Sequence, residues 1–203
     1  MPGEPFGWNA VVVGAWNTAI LSPDGVRRRL FNLPEGTPIE LEVSVDRPGP
    51  FRIGHDGIVV VPTPARLEVA PRVSSSGGLQ RACQLCQTAV QVLPETPVSA
   101  AGVNIRYQFA ELPDSVFDLL RAPLDGALAD AELAVQASTT KRSIALGPGL
   151  VNVSITHTQT GSGAIELNFH RDSSTAAELS AWLGRTEEFV EFYGRVAEVL
   201  GVN

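Results

Sequence analysis

Lysine is nearly absent from this chain. Lys141 is the single one, the other cations are arginines, and the formal net charge is −7 over 203 residues. An acidic protein repels a phosphate backbone at long range, and a grip on one needs several cations on one surface. The dense cationic runs are only Arg27-Arg28-Arg29 and Lys141-Arg142, which argues against a nucleic-acid-binding module. No apolar run approaches the roughly 18 residues that a membrane span needs. The opening Met-Pro-Gly-Glu-Pro shows no basic stretch followed by an apolar one, so no signal peptide is expected. The expectation is a cytoplasmic protein without membrane contact. A hydrophobic content of 44% is ordinary for a chain that buries a core.

Cysteine is scarce too. Cys83 and Cys86 form a lone C-x-x-C. A redox pair places its first thiol at a helix N-terminus, where the dipole lowers the pKa. Here Ser74-Ser75-Ser76-Gly77-Gly78 reads as the loop before a helix, so Cys83 falls beyond the first turn, where that effect has faded. Both thiols also lie on the helical stripe Leu79, Ala82, Cys83, Cys86, Val90, Leu93, which marks them as buried and structural. A zinc site needs two further ligands. No second C-x-x-C or paired histidine supplies them, so neither metal nor cofactor is expected. The chain also lacks a phosphate-cradling glycine loop, a G-x-S-x-G elbow, an H-E-x-x-H and a dinucleotide fingerprint. No catalytic constellation follows from motif alone.

What is present is strand pattern, and it occurs twice. Val103, Ile105, Tyr107 and Phe109 alternate with Gly102, Asn104, Arg106 and Gln108, which predicts a half-buried strand. It runs into Pro113-Asp114-Ser115-Val116 and a short helical pattern. The apolar run Val11-Val12-Val13 leads likewise through Trp16 and Ile20 to Pro23-Asp24-Gly25-Val26, 90 residues earlier. The same offset pairs Leu30 with Leu120, Glu42 with Glu132 and Val45 with Val135. An internal duplication is the reading, with halves at 1–95 and 96–203 packed as one pseudo-symmetric domain.

Each half predicts strand, helix, four strands, helix. In the first, a strand covers about 9–21. Ser22 caps a short helix with Pro23 at its first position, running to about Phe31. Ile39, Leu41, Val43 and Val45 alternate with acidic or polar neighbours, giving a strand with one buried face. His55-Asp56-Gly57 turns a hairpin between 51–53 and 58–61, with His55 exposed at its tip. A strand over 66–70 and a helix over 79–93 follow. In the second half a strand covers about 98–111 and a helix 114–121, broken at Pro123. Strands are expected at 131–138, 141–146, 150–158 and 164–171, with a turn at Ser138-Thr139-Thr140. Asp172 or Ser173 caps a long C-terminal helix that Gly184 kinks and Thr186 restarts.

This order resembles the duplicated unit of the TATA-binding-protein-like fold, over most of the chain and as an order of elements. The resemblance implies an α+β fold in which a curved antiparallel sheet carries helices on one face. The acidic charge departs from that DNA-binding family, and no motif of it is matched. The stretch Gly102-Val103-Asn104-Ile105-Arg106-Tyr107 also resembles a strand found in a group of uncharacterised bacterial proteins, which implies no activity.

If the apolar set of this strand faces the helices, Asn104, Arg106 and Gln108 face the open side. The same parity exposes Glu132 and Gln136, then Asn152, Ser154 and Thr156, then Glu166, Asn168 and His170. These groups give and accept directed hydrogen bonds, and asparagine is a poor strand former, so a recognition face is the sharper reading of what is otherwise a solvated surface. Trp16, aligned with Arg106, is either a contact residue on that face, for instance against a second copy, or simply core. His157 has core-facing parity. His170 and Asp172 share parity before the last helix and suit a general acid–base pair, with Glu166 as the other carboxylate candidate. The function expected is a non-enzymatic binding or assembly protein using the open face for a protein, peptide or small polar ligand, self-associating or holding a protein partner. The alternatives are a small-molecule enzyme using His170 and a nucleic-acid-binding module.

Overall fold

Ten strands and six helices form in the computed structural model, which describes residues 3–43, 49–120 and 122–202. The strands are β1 (Glu4–Pro5), β2 (Asn9–Gly14), β3 (Glu40–Glu42), β4 (Arg52–His55), β5 (Ile58–Pro62), β6 (Arg66–Pro71), β7 (Val98–Phe109), β8 (Ala137–Leu146), β9 (Gly149–Thr158) and β10 (Gly163–Asp172). The helices are α1 (Pro23–Arg29), α2 (Ser76–Val92), α3 (Asp114–Leu120), α4 (Pro123–Asp130), α5 (Ala176–Leu183) and α6 (Thr186–Leu200). All strands join one antiparallel sheet in the order β3-β4-β5-β6-β2-β7-β10-β9-β8, with β1 beside β7. The fold is α+β. Among the described residues no helix is long and apolar enough to cross a membrane.

The first long strand of each meander lies at the centre of the sheet. β2 pairs with β7, and each is flanked by the last strand of the meander that follows it, β6 and β10. Side chains of one parity, among them Val12, Leu67, Val103, Ile105, Val151, Leu167 and Phe169, are buried on one face. Helix α2 lies over β6, β2 and β5, and α5 over β7 and β10. Val26 of α1, Val116 of α3 and Phe189 of α6 join the same core. Phe169 stacks on Phe189 at 4.4 Å, and Tyr107 on Tyr193 at 3.9 Å. One-sided burial of this kind fixes strand register, because a slip of one residue would turn the whole apolar set into water.

Local rules are visible at the element ends. Ser22 Oγ accepts from the Gly25 amide, and Pro23 stands at the first helical position. Ser75 Oγ does the same for Gly78 and starts α2. Asp56 and Gly57 take φ values of 47° and 72°, the doubly left-handed pair that a tight hairpin turn requires. The C-terminal helix breaks at Gly184 and restarts at Thr186, and Gly201 closes it at φ 68°.

Several expectations are corrected. The first strand ends at Gly14 rather than near Leu21, because the register shifts after Val13 and Asn17 Oδ1 accepts from the Ala19 and Ile20 amides. Leu41 and Val43 are exposed, since β3 is a three-residue edge strand; Val45 lies outside the described residues. Residues 123–130 form α4, with Pro123 in its first turn. The return of the second half then has three strands, not four. Ser138, Thr139 and Thr140 sit inside β8, where β-branched threonine is favoured. Glu132 follows α4 in a left-handed turn (φ 61°) and stands on no strand, as does Gln136. Leu30 is the C-cap of α1 and Leu120 the last residue of α3, whereas Glu42 lies in β3 and Glu132 in the turn after α4. His55 is half-buried against Phe31, with ring centroids 5.4 Å apart. Neither Asp172 nor Ser173 caps α5, which starts after Thr175.

Candidate functional site

The face away from the helices carries one polar side chain per strand along a line crossing six strands. The ladder register places Asn168 opposite both Asn104 and Asn152, Asn9 opposite Asn104, and Ser143 opposite Asn152. Cross-strand neighbours on one face are close enough for side-chain hydrogen bonds. Ser143 Oγ donates to Asn152 Oδ1 at 2.7 Å, Asn152 Nδ2 to Asn168 Oδ1 at 3.3 Å, and Asn168 Nδ2 to Asn104 Oδ1 at 2.8 Å. Asn104 Nδ2 then donates to Asn9 Oδ1 at 2.6 Å, and Asn9 Nδ2 to Glu68 Oε1 at 2.8 Å. The row therefore runs from the edge strand β8 to β6.

Its direction has a physical cause. An ionised carboxylate only accepts. Glu68 thus requires the NH2 group of Asn9, which leaves the Asn9 carbonyl for Asn104, and so on outward to the Ser143 hydroxyl. Aligned bonds of this kind polarise one another. Each amide has two N–H groups and two lone pairs. The row uses one of each, and the other N–H and lone pair remain for a ligand. Gly102 keeps the backbone low beside the row. A Cβ there would come within 3.3 Å of the Phe169 carbonyl oxygen and 3.7 Å of Asn168 Nδ2.

A second row runs beside the first: Lys141, Ser154, Glu166 and Arg106 are cross-strand neighbours in turn. Arg106 Nε lies 3.9 Å from Glu166 Oε2. The Arg106 guanidinium also donates to the Gly7 carbonyl, and the Arg106 carbonyl accepts from Trp8 Nε1 at 2.8 Å. The two rows floor a depression of about 320 Å³ on the open face. Asn104, Arg106, Asn152, Glu166 and Asn168 line it, as do Lys141, Ser143 and Ser154.

The sites expected from parity thus separate into three groups. Asn104, Arg106, Asn152, Glu166 and Asn168 come together. Gln108 and His170 share the face but lie outside the depression. Trp16 does neither: it is 3% exposed, and its Nε1 donates to the Val12 carbonyl at 3.0 Å. It is core because the first strand has already ended at Gly14. Asn9, Glu68 and Ser143 complete the row although no sequence pattern singled them out. Asn9 alone carried a signal, sharing parity with Val11 just before the apolar run.

His170 Nε2 is 2.9 Å from Asp172 Oδ1, so the expected pair forms. The Asp172 side chain is 81% exposed, and among the described residues no nucleophile or buried acid is bonded to the pair. His157 lies under α3, edge-on to Phe117 at 5.0 Å, and its buried Nε2 has no hydrogen-bond partner. At the β3–β5 end the open face is closed by ions. Arg72 binds Glu40 and, at 2.7 Å, Glu42, which Arg52 also meets at 3.0 Å. The hydrogen bond from Arg72, then that from Arg52, holds the Glu42 carboxyl below its ordinary pKa.

Both cysteines are free and buried in α2. Desolvation raises the Cys83 pKa to about 11, against a lowering hydrogen bond from Thr186, and pushes Cys86 well above its usual value. These are inert thiols. Among the described residues no three His, Cys, Asp or Glu side chains converge as metal ligands. No model of a known protein family matches the chain, and no curated protein sequence matches it either, so what the site binds is argued from its geometry.

Proposed function

We propose that this is a non-enzymatic binding protein that holds a small polar ligand on the open sheet face, over the asparagine row. The hydrogen-bonded line from Glu68 to Ser143 carries the reading. It presents pre-aligned donors and acceptors at one strand spacing, about 4.8 Å apart. The depression of about 320 Å³ falls at the lower end of small-ligand sites. A protein partner on this face would want aromatic or aliphatic anchors. Around the two rows the face offers mainly amides, hydroxyls and glycine; its larger apolar groups are Val11, Val13, Val59, Val61 and Leu150. Lys141 and Arg106 stand at the two ends of the second row. A hydroxyl- or amide-bearing molecule with one acidic group fits this arrangement.

Thermal shift against a panel of polyols, sugar acids and carboxamides tests it. A ligand at 100 times its Kd stabilises by about 2.7 kcal/mol, or roughly 5–10 °C in Tm for a chain of this length. Lys141→Ala and Ser154→Ala lie outside the asparagine row. They are expected to weaken an acidic ligand while leaving the ligand-free Tm unchanged. If no panel member shifts Tm, or if these variants leave every shift intact, the reading fails.

A second reading rests on the 2.9 Å His170–Asp172 contact: an enzyme whose histidine acts as general base. Turnover of a panel compound that His170→Ala abolishes would establish it in place of the first.

The two-half origin belongs to the same reading. Its support is the antiparallel central pair, in which Val11 faces Gly102 and Val12 faces Ala101, an arrangement compatible with a two-fold axis relating residues 90 apart. Failure of the backbone of 9–30 to superpose on that of 99–120 would oppose it.

A further inference from the structure

We infer that the β8 edge, with the groove beneath it, is a docking site for an extended acidic segment of another protein, added as a further strand. β8 is ten residues long and pairs only with β9 among the described residues. Alternate residues along it therefore turn their N–H and C=O groups outward, a template for strand addition. On the helix side, α5 and α6 stop short of covering the edge. Ile144, Val153, Ile155, Phe192, Val196 and Val199 line a groove of about 320 Å³ there. Val199 is 77% exposed and Ile144 42%, in a place where a core would be expected to continue.

Charge decides the occupant. Arg142 and Arg195 border the groove, and no carboxylate lines it. Lys141 stands on the opposite face of the same strand, level with Ser154. Among the described residues these three cations make no ion pair, nor do Arg29 and Arg81 elsewhere, whereas Arg27, Arg28, Arg52, Arg66, Arg72, Arg106, Arg171 and Arg185 all do. In a chain of net charge −7, three unpaired cations around one bare edge call for a negative partner. A second copy fits poorly. A two-fold axis near the middle of β8 passes through Lys141 or Arg142 and sets that residue opposite its own copy, and like charges directly opposed are destabilising. A segment alternating apolar and acidic residues fits both sides at once. Its apolar side chains drop beside Ile144 and Val199, against the aliphatic stems of Arg142 and Arg195, and its carboxylates meet Lys141 on the other face.

The test uses the full chain and a fluorescein-labelled peptide of about ten residues, the length of β8, alternating valine and glutamate. Fluorescence anisotropy is expected to show binding at least about tenfold tighter than for the valine–lysine peptide, a difference of about 1.4 kcal/mol. N-methylation of alternate residues on the edge facing β8 is expected to abolish it. Val199→Asp should weaken it several-fold, and Lys141→Glu with Arg142→Glu should invert the preference between the two peptides. These side chains are exposed, so unchanged urea unfolding is the control for folding. Equal binding of the two peptides, or indifference to N-methylation, overturns the inference. So does a dimer, seen by sedimentation, that Val199→Asp breaks, because the edge would then belong to a second copy.

Discussion

The sharpest consequence of the asparagine row is a sign reversal that a double-mutant cycle reads. In Asn104→Asp the new carboxylate still accepts from Asn168 Nδ2, a bond of 2.8 Å in the wild type. It meets the Asn9 carbonyl on its other side, where an N–H···O bond of 2.6 Å stood before. Turning Asn9 over does not help, because its carbonyl would then face Glu68, to which it now donates at 2.8 Å. One acceptor–acceptor contact persists whichever way the amides turn. The lost bond costs about 1 kcal/mol, and the unsatisfied half-buried acceptors cost about 1–2 more. Asn104→Asp is therefore expected to lose about 2–3 kcal/mol, and Asn104→Ala nearer 1–2. Glu68→Gln alone should cost less than about 1, since an amide at 68 still accepts. Combined with Asn104→Asp it lets the row reverse: the new amide donates to Asn9, and Asn9 donates to the new carboxylate. A favourable coupling of about 1–2 kcal/mol between the two positions is predicted, measured by urea unfolding with the slope unchanged. The raised pKa of the new carboxyl gives a second readout. Its cost is absent at low pH, where the protonated group donates, and grows as pH rises from the unfolded value of about 3.9 through the raised folded value. Additivity within about 0.3 kcal/mol would refute the row as a single directed unit.

Other consequences are simpler. Ser22→Ala removes the cap of α1 and should cost about 0.5–2 kcal/mol in thermal or urea unfolding; an unchanged midpoint would oppose it. Cys83 and Cys86 should react with a thiol reagent at pH 8 only at the rate of unfolding, since burial raises both thiols, Cys83 to about 11; rapid native labelling would contradict this. The Glu42 carboxyl is held below its ordinary 4.5 by Arg72 and Arg52. Its contribution to stability is thus present above about pH 4.5 and lost as pH falls through the lower folded value. Glu42→Gln should flatten the acid limb of the stability profile, and a steeper limb would reverse the sign of the argument. Phe169→Ala, which removes a fully buried ring stacked on Phe189, should cost about 3–5 kcal/mol.

How much of this was legible in the sequence depended on whether a feature was local. Period-two alternation gave β7 its span and its faces, so Asn104 and Arg106 were placed on the open side correctly. Ser22-Pro23 and Asp56-Gly57 marked their elements because capping and turn chemistry act within four residues. Residues 123–146 misled for an equally local reason. Pro123 reads as a break, although proline suits a helix's first turn, and Ser138-Thr139-Thr140 reads as a turn although threonine favours strands. Trp16 was ambiguous because its burial depends on where β2 stops, which the register shift after Val13 decides. The row itself was out of reach. Asn9, Glu68 and Ser143 meet the other amides only through the pairing of six strands, and no spacing along one strand records that.

The account rests on those amides being both ordered and open to a ligand. The side-chain NH2 signals of Asn9, Asn104, Asn152 and Asn168, followed by NMR during titration with the panel compound giving the largest thermal shift, test this most directly. Each should show one in-row proton that barely moves and one outer proton that shifts on binding, with Ser154 and Lys141 shifting alongside. Shifts confined to the helix side of the sheet, with all four amide pairs unmoved, would contradict it.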